Sequence, residues 1–155
     1  MKNQFLFSLL ILAFAINSFA GPVEVLKTKA QIPEGNYKIF RGDEDLCEVV
    51  MELEYIGDAK ASGVRVGQKY TWGGLQQSKI TEEGGPGCTT EIANTVEKHH
   101  IKSVSHFKCK KASDNLVITQ ELLFEKDQLR INYERIESDK KNNKNYYCVY
   151  KLKSP

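Results

Sequence analysis

The sequence predicts an all-β fold in which an antiparallel meander forms a closed or nearly closed barrel of about eight strands, with a β-sandwich as the alternative. Three observations predict it. Apolar side chains recur at every second position in successive runs from residue 35 onward. Polar turns separate the runs, and those in the C-terminal half are short enough to make consecutive strands antiparallel neighbours. No long run of residues has a helical period. A closed barrel is favoured because closure would remove the exposed edges of the sheet.

The N-terminal half of the barrel is predicted to contain three strands. The first centres on residues 37–39 and ends in the polar turn 41–45. The second alternates over residues 47–55, with apolar side chains on one face and mostly acidic ones on the other. The third covers residues 64–72, and Gly73-Gly74 is expected to form a tight hairpin into the run at residues 75–80.

The C-terminal half begins after residues 82–88, where three glycines and a proline break any regular ladder. Residues 89–99 fit either a short helix capped by Thr90 or a strand, and we favour a short strand or irregular structure. Four clearer strands follow, at residues 100–109, 116–124, 129–137 and 146–153.

The first twenty residues are typical of a secretory signal peptide. Lys2 precedes an apolar run at 5–16, and the small residues at 18–20 predict cleavage after Ala20. The run of about a dozen residues is too short to span a membrane, which needs about 20. We therefore expect a secreted or periplasmic protein with a lead-in at 21–34 and one domain at 35–155. Without the signal, the apolar share falls from 41% to about 36%.

Four cysteines, all beyond the predicted signal, indicate two disulfides formed in an oxidising compartment. No pair of cysteines or of cysteine and histidine has the spacing of metal ligands, so we expect no metal centre. Of the three possible connectivities, we favour Cys88 with Cys109, which is a local closure. Cys47 would then pair with Cys148 and tie the start of the domain to its last strand.

The overall charge excludes a globally basic protein drawn to nucleic acid, since 22 basic residues face 20 acidic ones. The charge is unevenly placed, with an acidic stretch at 43–54 and a lysine-rich one at 140–153. We interpret the two as exposed ion pairs between neighbouring strands. The alternative is a basic edge that attracts an anionic partner, built from Lys108, Lys110, Lys111, Lys140, Lys141 and Lys144.

The sequence contains no recognisable catalytic arrangement. His99, His100 and His106 are spaced too loosely along a strand to share a metal, and no serine lies in Gly-x-Ser-x-Gly. Glu52 and Glu54 are better explained as a solvated face than as an acid pair. We therefore expect a protein that is not an enzyme and has no cofactor, and a secreted hydrolase using the histidines is the least favoured function.

Two segments resemble the lipocalins. Gly35-Asn-Tyr37 opens the first predicted strand, where lipocalins have Gly-x-Trp, and residues 148–151 (CVYK) close the last strand with a cysteine and a basic residue. On these residues the chain is similar in pattern to small secreted lipocalin-like barrels over most of 35–153. The resemblance implies a calyx that takes a small apolar ligand.

We therefore expect an exported, monomeric binding protein, and first a small-ligand carrier. Its candidate wall residues are Tyr37, Met51, Leu53, Tyr70, Trp72, Phe107 and Phe124.

The alternative is a module that binds an extracellular protein, for instance an inhibitor of an extracellular enzyme. Its contacts would come from the loops 41–45, 82–88 and 138–145. The first loop contains Arg41, Gly42 and Asp43, the tripeptide that integrins recognise, although Gly-Asp is also what a tight turn requires.

Overall fold

A computed structural model of the chain describes residues 30–43, 45–56, 63–83 and 87–153. The regular structure in these residues is ten β-strands and one short 3-10 helix, Ala112–Asp114. The strands are β1 (Gly35–Gly42), β2 (Val50–Ile56), β3 (Gly63–Val66), β4 (Tyr70–Trp72), β5 (Lys79–Glu83), β6 (Cys88–Glu97), β7 (His100–Cys109), β8 (Leu116–Glu125), β9 (Gln128–Glu137) and β10 (Lys144–Leu152). The all-β prediction is confirmed, and the predicted signal peptide at 1–20 lies outside the described residues.

All ten strands belong to one antiparallel sheet, in the order β4-β3-β2-β1-β10-β9-β8-β7-β6-β5. The prediction of a closed barrel of about eight strands is wrong, because β4 and β5 remain as the two edges of the sheet. The connection between β4 and β5 explains why the sheet stays open between these two strands. Residues 73–78 form an irregular turn instead of the predicted tight hairpin, and the Ser78 carbonyl accepts the Asn94 N–H of β6 at 2.9 Å. The chain therefore enters β5 alongside β6 and not alongside β4.

The predicted third strand, 64–72, is also wrong, because a turn divides it into β3 and β4. Gly67 has a φ of +59°, a conformation that glycine adopts without the strain of a Cβ atom. The Glu48 carboxylate accepts the backbone N–H groups of Gln68 and Lys69 at 2.9 and 3.0 Å. These bonds fix the turn and bring Val64 opposite Trp72.

The C-terminal half follows the prediction closely. Strands β7 to β10 begin and end within a few residues of the predicted positions. The strand interpretation of residues 89–99 is confirmed, since β6 pairs with β7 along its whole length. A two-residue turn joins β8 to β9, with Lys126 and Asp127 at φ values of 50° and 62°.

Cross-strand partners place the buried side chains on one face, which we call the inner face. The sheet curls around this face. The hydroxyl oxygens of Tyr70 and Tyr146 lie 2.9 Å apart, and the Trp72 indole N–H donates to the Gln120 carbonyl at 3.5 Å. Trp72 and Gln120 belong to β4 and β8, which five strands separate in the sheet order, so these contacts cross the interior.

Residues 30–34, which we call the N-terminal strap, cross the end of the curled sheet where β1 begins. The Gln31 N–H donates to the Lys98 carbonyl, in the turn between β6 and β7, at 2.6 Å. Ile32 is buried, and its N–H and carbonyl bond the Tyr55 hydroxyl at 2.8 and 3.1 Å. The strap therefore joins the two halves of the sheet at this end.

Two disulfides are present, Cys47–Cys148 and Cys88–Cys109, which are the pairs that the sequence favoured. The first links the β1–β2 connection to β10, and the second joins the start of β6 to the end of β7. Both are compatible with an oxidising, extracellular location.

Candidate functional site

The inner face differs between its two ends. At the strap end, inner-face side chains of β1 to β4 and β7 to β10 are almost completely buried. At the opposite end, several inner-face side chains of β6 to β10 are only half-buried. These residues, which we call the inner-face site, are Ile92, Phe107, Leu116, Ile118, Tyr133, Arg135, Glu137 and Tyr146.

Strand register places the residues of the inner-face site side by side. One row across the sheet contains Ile92, Ser105, Ile118 and Arg135 as successive cross-strand partners. The row nearer the end of the sheet contains Thr90, Phe107, Leu116 and Glu137. Apolar side chains on β6 to β8 therefore lie next to a charged pair on β9.

Arg135 and Glu137 form an ion pair through Arg135 Nη2 and Glu137 Oε1, with side chains 35% and 11% exposed. Hydrogen bonds from the Asn142 amide and from Arg135 hold the pKa of the Glu137 carboxyl below its ordinary value. The Nε atom of Arg135 is buried and has no hydrogen-bond partner among the described residues. The ion pair thus leaves the Nε–H of Arg135 without an acceptor, while the rest of the side chain is partly exposed.

Tyrosine side chains form the wall between the charged pair and the core. The rings of Tyr133 and Tyr146 stack with their centroids 5.1 Å apart. Burial raises the pKa of both Tyr70 and Tyr146. Their hydroxyls therefore stay protonated at neutral pH and act as hydrogen-bond donors or acceptors.

The predicted wall residues all occur on the inner face, but mostly in the packed part. Tyr37, Met51, Leu53, Tyr70 and Trp72 are at most 3% exposed and fill the core. Phe124 packs against that core, and only Phe107 belongs to the inner-face site. Contact of these seven residues with a ligand stays a prediction.

Sequence reasoning did not single out Arg135, Ile92, Leu116 or Ile118 as site residues. The signal for Arg135 was present, since it continues the alternation of Leu129, Ile131 and Tyr133 on β9. A basic residue at an inward position of a predicted strand is the pattern that would have identified it.

The tripeptide Arg41-Gly42-Asp43 serves the local turn. Gly42 has a φ of +148°, and a Cβ atom there would lie 2.7 Å from the sulfur of Cys47. The Asp43 carboxylate accepts the Asp45 N–H at 3.0 Å. The backbone carbonyl of Asp43 accepts the N–H groups of Leu46 and Cys47. Integrin recognition stays a prediction.

The three histidines have different surroundings. His99 meets the Phe124 ring edge-on, His100 Nδ1 lies 3.9 Å from Glu97, and His106 is exposed opposite Glu91. Within the described part of the chain, no three His, Cys, Asp or Glu side chains group to hold a metal ion. In the same residues, no helix is long and apolar enough to cross a membrane.

Comparison of the chain with protein-family models, with curated proteins and with solved structures finds no match.

Proposed function

We propose that the protein is an exported carrier that binds a small ligand in the inner-face site, and that the ligand has an apolar body and one polar or anionic group. The observation that carries the proposal is the Arg135 side chain, 35% exposed and with an unpartnered Nε, beside half-buried apolar side chains of the same face. Export is supported by the two disulfides and by the predicted signal peptide.

An apolar body is supported by the side chains of Ile92, Leu116 and Ile118. They lie on the inner face, where the sheet could cover them, and yet solvent reaches them. Covering apolar surface stabilises a complex by about 25 cal/mol for each Å² removed from water. A small apolar molecule seated on β6 to β8 would gain this energy without a change in the sheet.

A polar group on the ligand is supported by the geometry of Arg135. A buried donor without an acceptor destabilises a protein by about 1–3 kcal/mol. Glu137 pairs with Nη2 alone and the Arg135 side chain is 35% exposed, so a ligand oxygen would meet the exposed part of the guanidinium, and a small shift of the side chain would also bring Nε within its reach. A carboxylate, sulfonate or carbonyl oxygen has the required acceptor chemistry.

The test uses 1-anilinonaphthalene-8-sulfonate, which has an apolar ring system, one anionic group and a fluorescence that rises in apolar sites. We expect the purified, oxidised protein to bind the dye saturably. Ile118→Asp should weaken this binding at least tenfold, because a carboxylate would then lie in the apolar row. Val49→Asp is the matched control, since Val49 is 58% exposed and lies in the β1–β2 connection, outside the inner-face site.

Arg135→Gln tests the polar half of the site. We expect about tenfold weaker binding of the sulfonate, from the loss of a charge-assisted hydrogen bond. Near-ultraviolet circular dichroism verifies that each variant keeps its packed core. Equal affinities of wild type, Ile118→Asp and Arg135→Gln for the dye would refute the proposal.

A further inference from the structure

The outer face of the sheet carries a groove that lies away from the inner-face site. Its volume is about 430 Å³, and residues of β1, β8, β9 and β10 and of the β8–β9 turn line it. The lining includes the apolar or aromatic Phe40, Leu123 and Tyr147, and the basic Arg41, Lys126 and Arg130. We call it the outer groove.

A β-bulge builds one wall of the outer groove. Ile39 pairs with Tyr150 and Arg41 pairs with Val149, so the intervening Phe40 has no partner on β10. The extra residue sends both Phe40 and Arg41 into the outer groove. As a result, Phe40 is 56% exposed, an unusual exposure for an aromatic ring in the middle of a sheet.

The cations of the outer groove interact with rings and amides in place of carboxylates. The Arg130 guanidinium lies 4.9 Å from the centre of the Tyr147 ring, and its Nε donates to Asn132 at 2.8 Å. The Lys151 ammonium lies 3.9 Å from the centre of the Phe40 ring. No ion pair to Arg41, Lys126, Arg130 or Lys151 occurs in the described ranges.

Three basic side chains elsewhere on the outer face have acidic partners. Lys102 meets Glu121 at 2.8 Å and Lys108 meets Glu91 at 2.9 Å. Arg65 pairs with Glu54. The outer groove has one carboxylate in its lining, Glu125, against three cations, so it carries a local positive charge on a nearly neutral chain.

We propose that the outer groove binds an acidic segment of a partner protein. Carboxylates of the segment would meet Arg41, Lys126 and Arg130, and its apolar side chains would pack on Leu123 and Val149. Arginine and aromatic side chains are the residues that supply most of the binding energy in protein interfaces. This site is independent of the inner-face site and goes beyond the proposed carrier function.

One other occupant, a lipid surface, fits the geometry less well, and a second copy of the chain is separated by experiment. A second copy offers exposed carboxylates at Glu82 and Glu83 of β5, so a concentration-dependent dimer that sediments in wild type and is lost in Arg130→Gln would overturn the proposal in favour of self-association. A lipid surface would need aromatic rings free to enter the bilayer, whereas cations cover the faces of Phe40 and Tyr147.

The test measures the fluorescence anisotropy of a fluorescein-labelled peptide of alternating glutamate and leucine, added to the oxidised full chain at low ionic strength. We expect binding that weakens as salt is added, and about tenfold weaker binding for Arg130→Gln and for Lys126→Gln. Arg65→Gln is the matched control, because this arginine is on the same face and already paired, and its effect should stay within about twofold.

Several outcomes overturn the proposal. They are no binding of the peptide, equal binding of the same peptide with glutamine for glutamate, or a loss in Arg65→Gln as large as that in Arg130→Gln. Protein that sediments with phosphatidylserine vesicles but ignores the peptide also overturns it, in favour of a membrane surface. Dye binding by the inner-face site, measured on the same variants, should be unchanged.

Discussion

The two disulfides should differ in their contribution to stability, because they close loops of very different length. Cys47 and Cys148 are separated by 101 positions in the sequence, and Cys88 and Cys109 by 21. The chain-entropy relation gives about 4.7 kcal/mol of stabilisation for the longer loop and about 3.3 kcal/mol for the shorter one. Replacing both cysteines of a bridge by alanine should therefore lower the free energy of unfolding by about 1.4 kcal/mol more for the longer bridge.

Packing acts in the same direction as loop entropy. Cys47 and Cys148 are almost completely buried, so their replacement by alanine also leaves a small cavity in the core. Cys88 and Cys109 are only half-buried. The difference of about 1.4 kcal/mol is thus a lower estimate.

The assay is urea unfolding of the two double variants beside the oxidised wild type. Trp72 reports the transition, because it is the one tryptophan of the sequence and lies buried on β4. The free energy of unfolding, extrapolated to zero urea, should fall furthest for Cys47→Ala/Cys148→Ala. An equal or larger loss for Cys88→Ala/Cys109→Ala would refute the reasoning.

Three further predictions concern the turn, the strap and the buried tyrosines. Glu48→Ala removes the acceptor of two N–H groups in the β3–β4 turn, so it should destabilise the protein by about 1–3 kcal/mol in urea, while Glu52→Ala, on an exposed residue, should change little. Tyr55→Phe removes both hydrogen bonds to the strap, so limited proteolysis should cut residues 30–34 faster than in wild type; equal rates would contradict this. Burial raises the pKa of Tyr37 and of Tyr150 from 10.0 to about 12, and an acid with a raised pKa in the folded state stabilises folding only while protonated. Stability should therefore fall as pH rises from about 10 to about 12, which ultraviolet absorbance of tyrosinate and circular dichroism would follow together; a constant free energy of unfolding over this range would contradict it.

The C-terminal half was predictable because its local signals agree. Strands β7 to β10 alternate over nine or ten residues each, and the turns between them are short and polar. The turn at Lys126-Asp127 shows the limit of composition, since it contains no glycine and yet both residues have positive φ. There the pairing of two long strands outweighs the local cost of the turn.

The strands of the N-terminal half were harder to predict, because a turn of three residues can preserve the alternation of inward-facing and outward-facing positions. Three residues, 67–69, separate β3 from β4, so Val64, Val66, Tyr70 and Trp72 keep the parity of one long strand. Gly67 was the only local sign of the reversal. The carboxylate that fixes it comes from Glu48, about twenty positions earlier, and such a contact is not readable from a local pattern.

The candidate site was not predictable from alternation alone. Ile118 and Ile131 are both inward-facing isoleucines of long strands, but the first is half-buried and the second is fully buried. Burial of this kind depends on the curl of the whole sheet.

Strand β9 shows how one alternating sequence can contribute to both of the proposed sites. Arg130 and Arg135 are five residues apart, an odd number, so their side chains project from opposite faces of the sheet. Arg130 stacks on Tyr147 in the outer groove, while Arg135 meets Glu137 at the inner-face site. Roughly 17 Å of strand and the thickness of the sheet separate the two guanidinium groups. Alternate residues of β9 face the buried interior and the solvent. The proposed carrier site and the proposed partner site can therefore both use this strand without sharing a side chain.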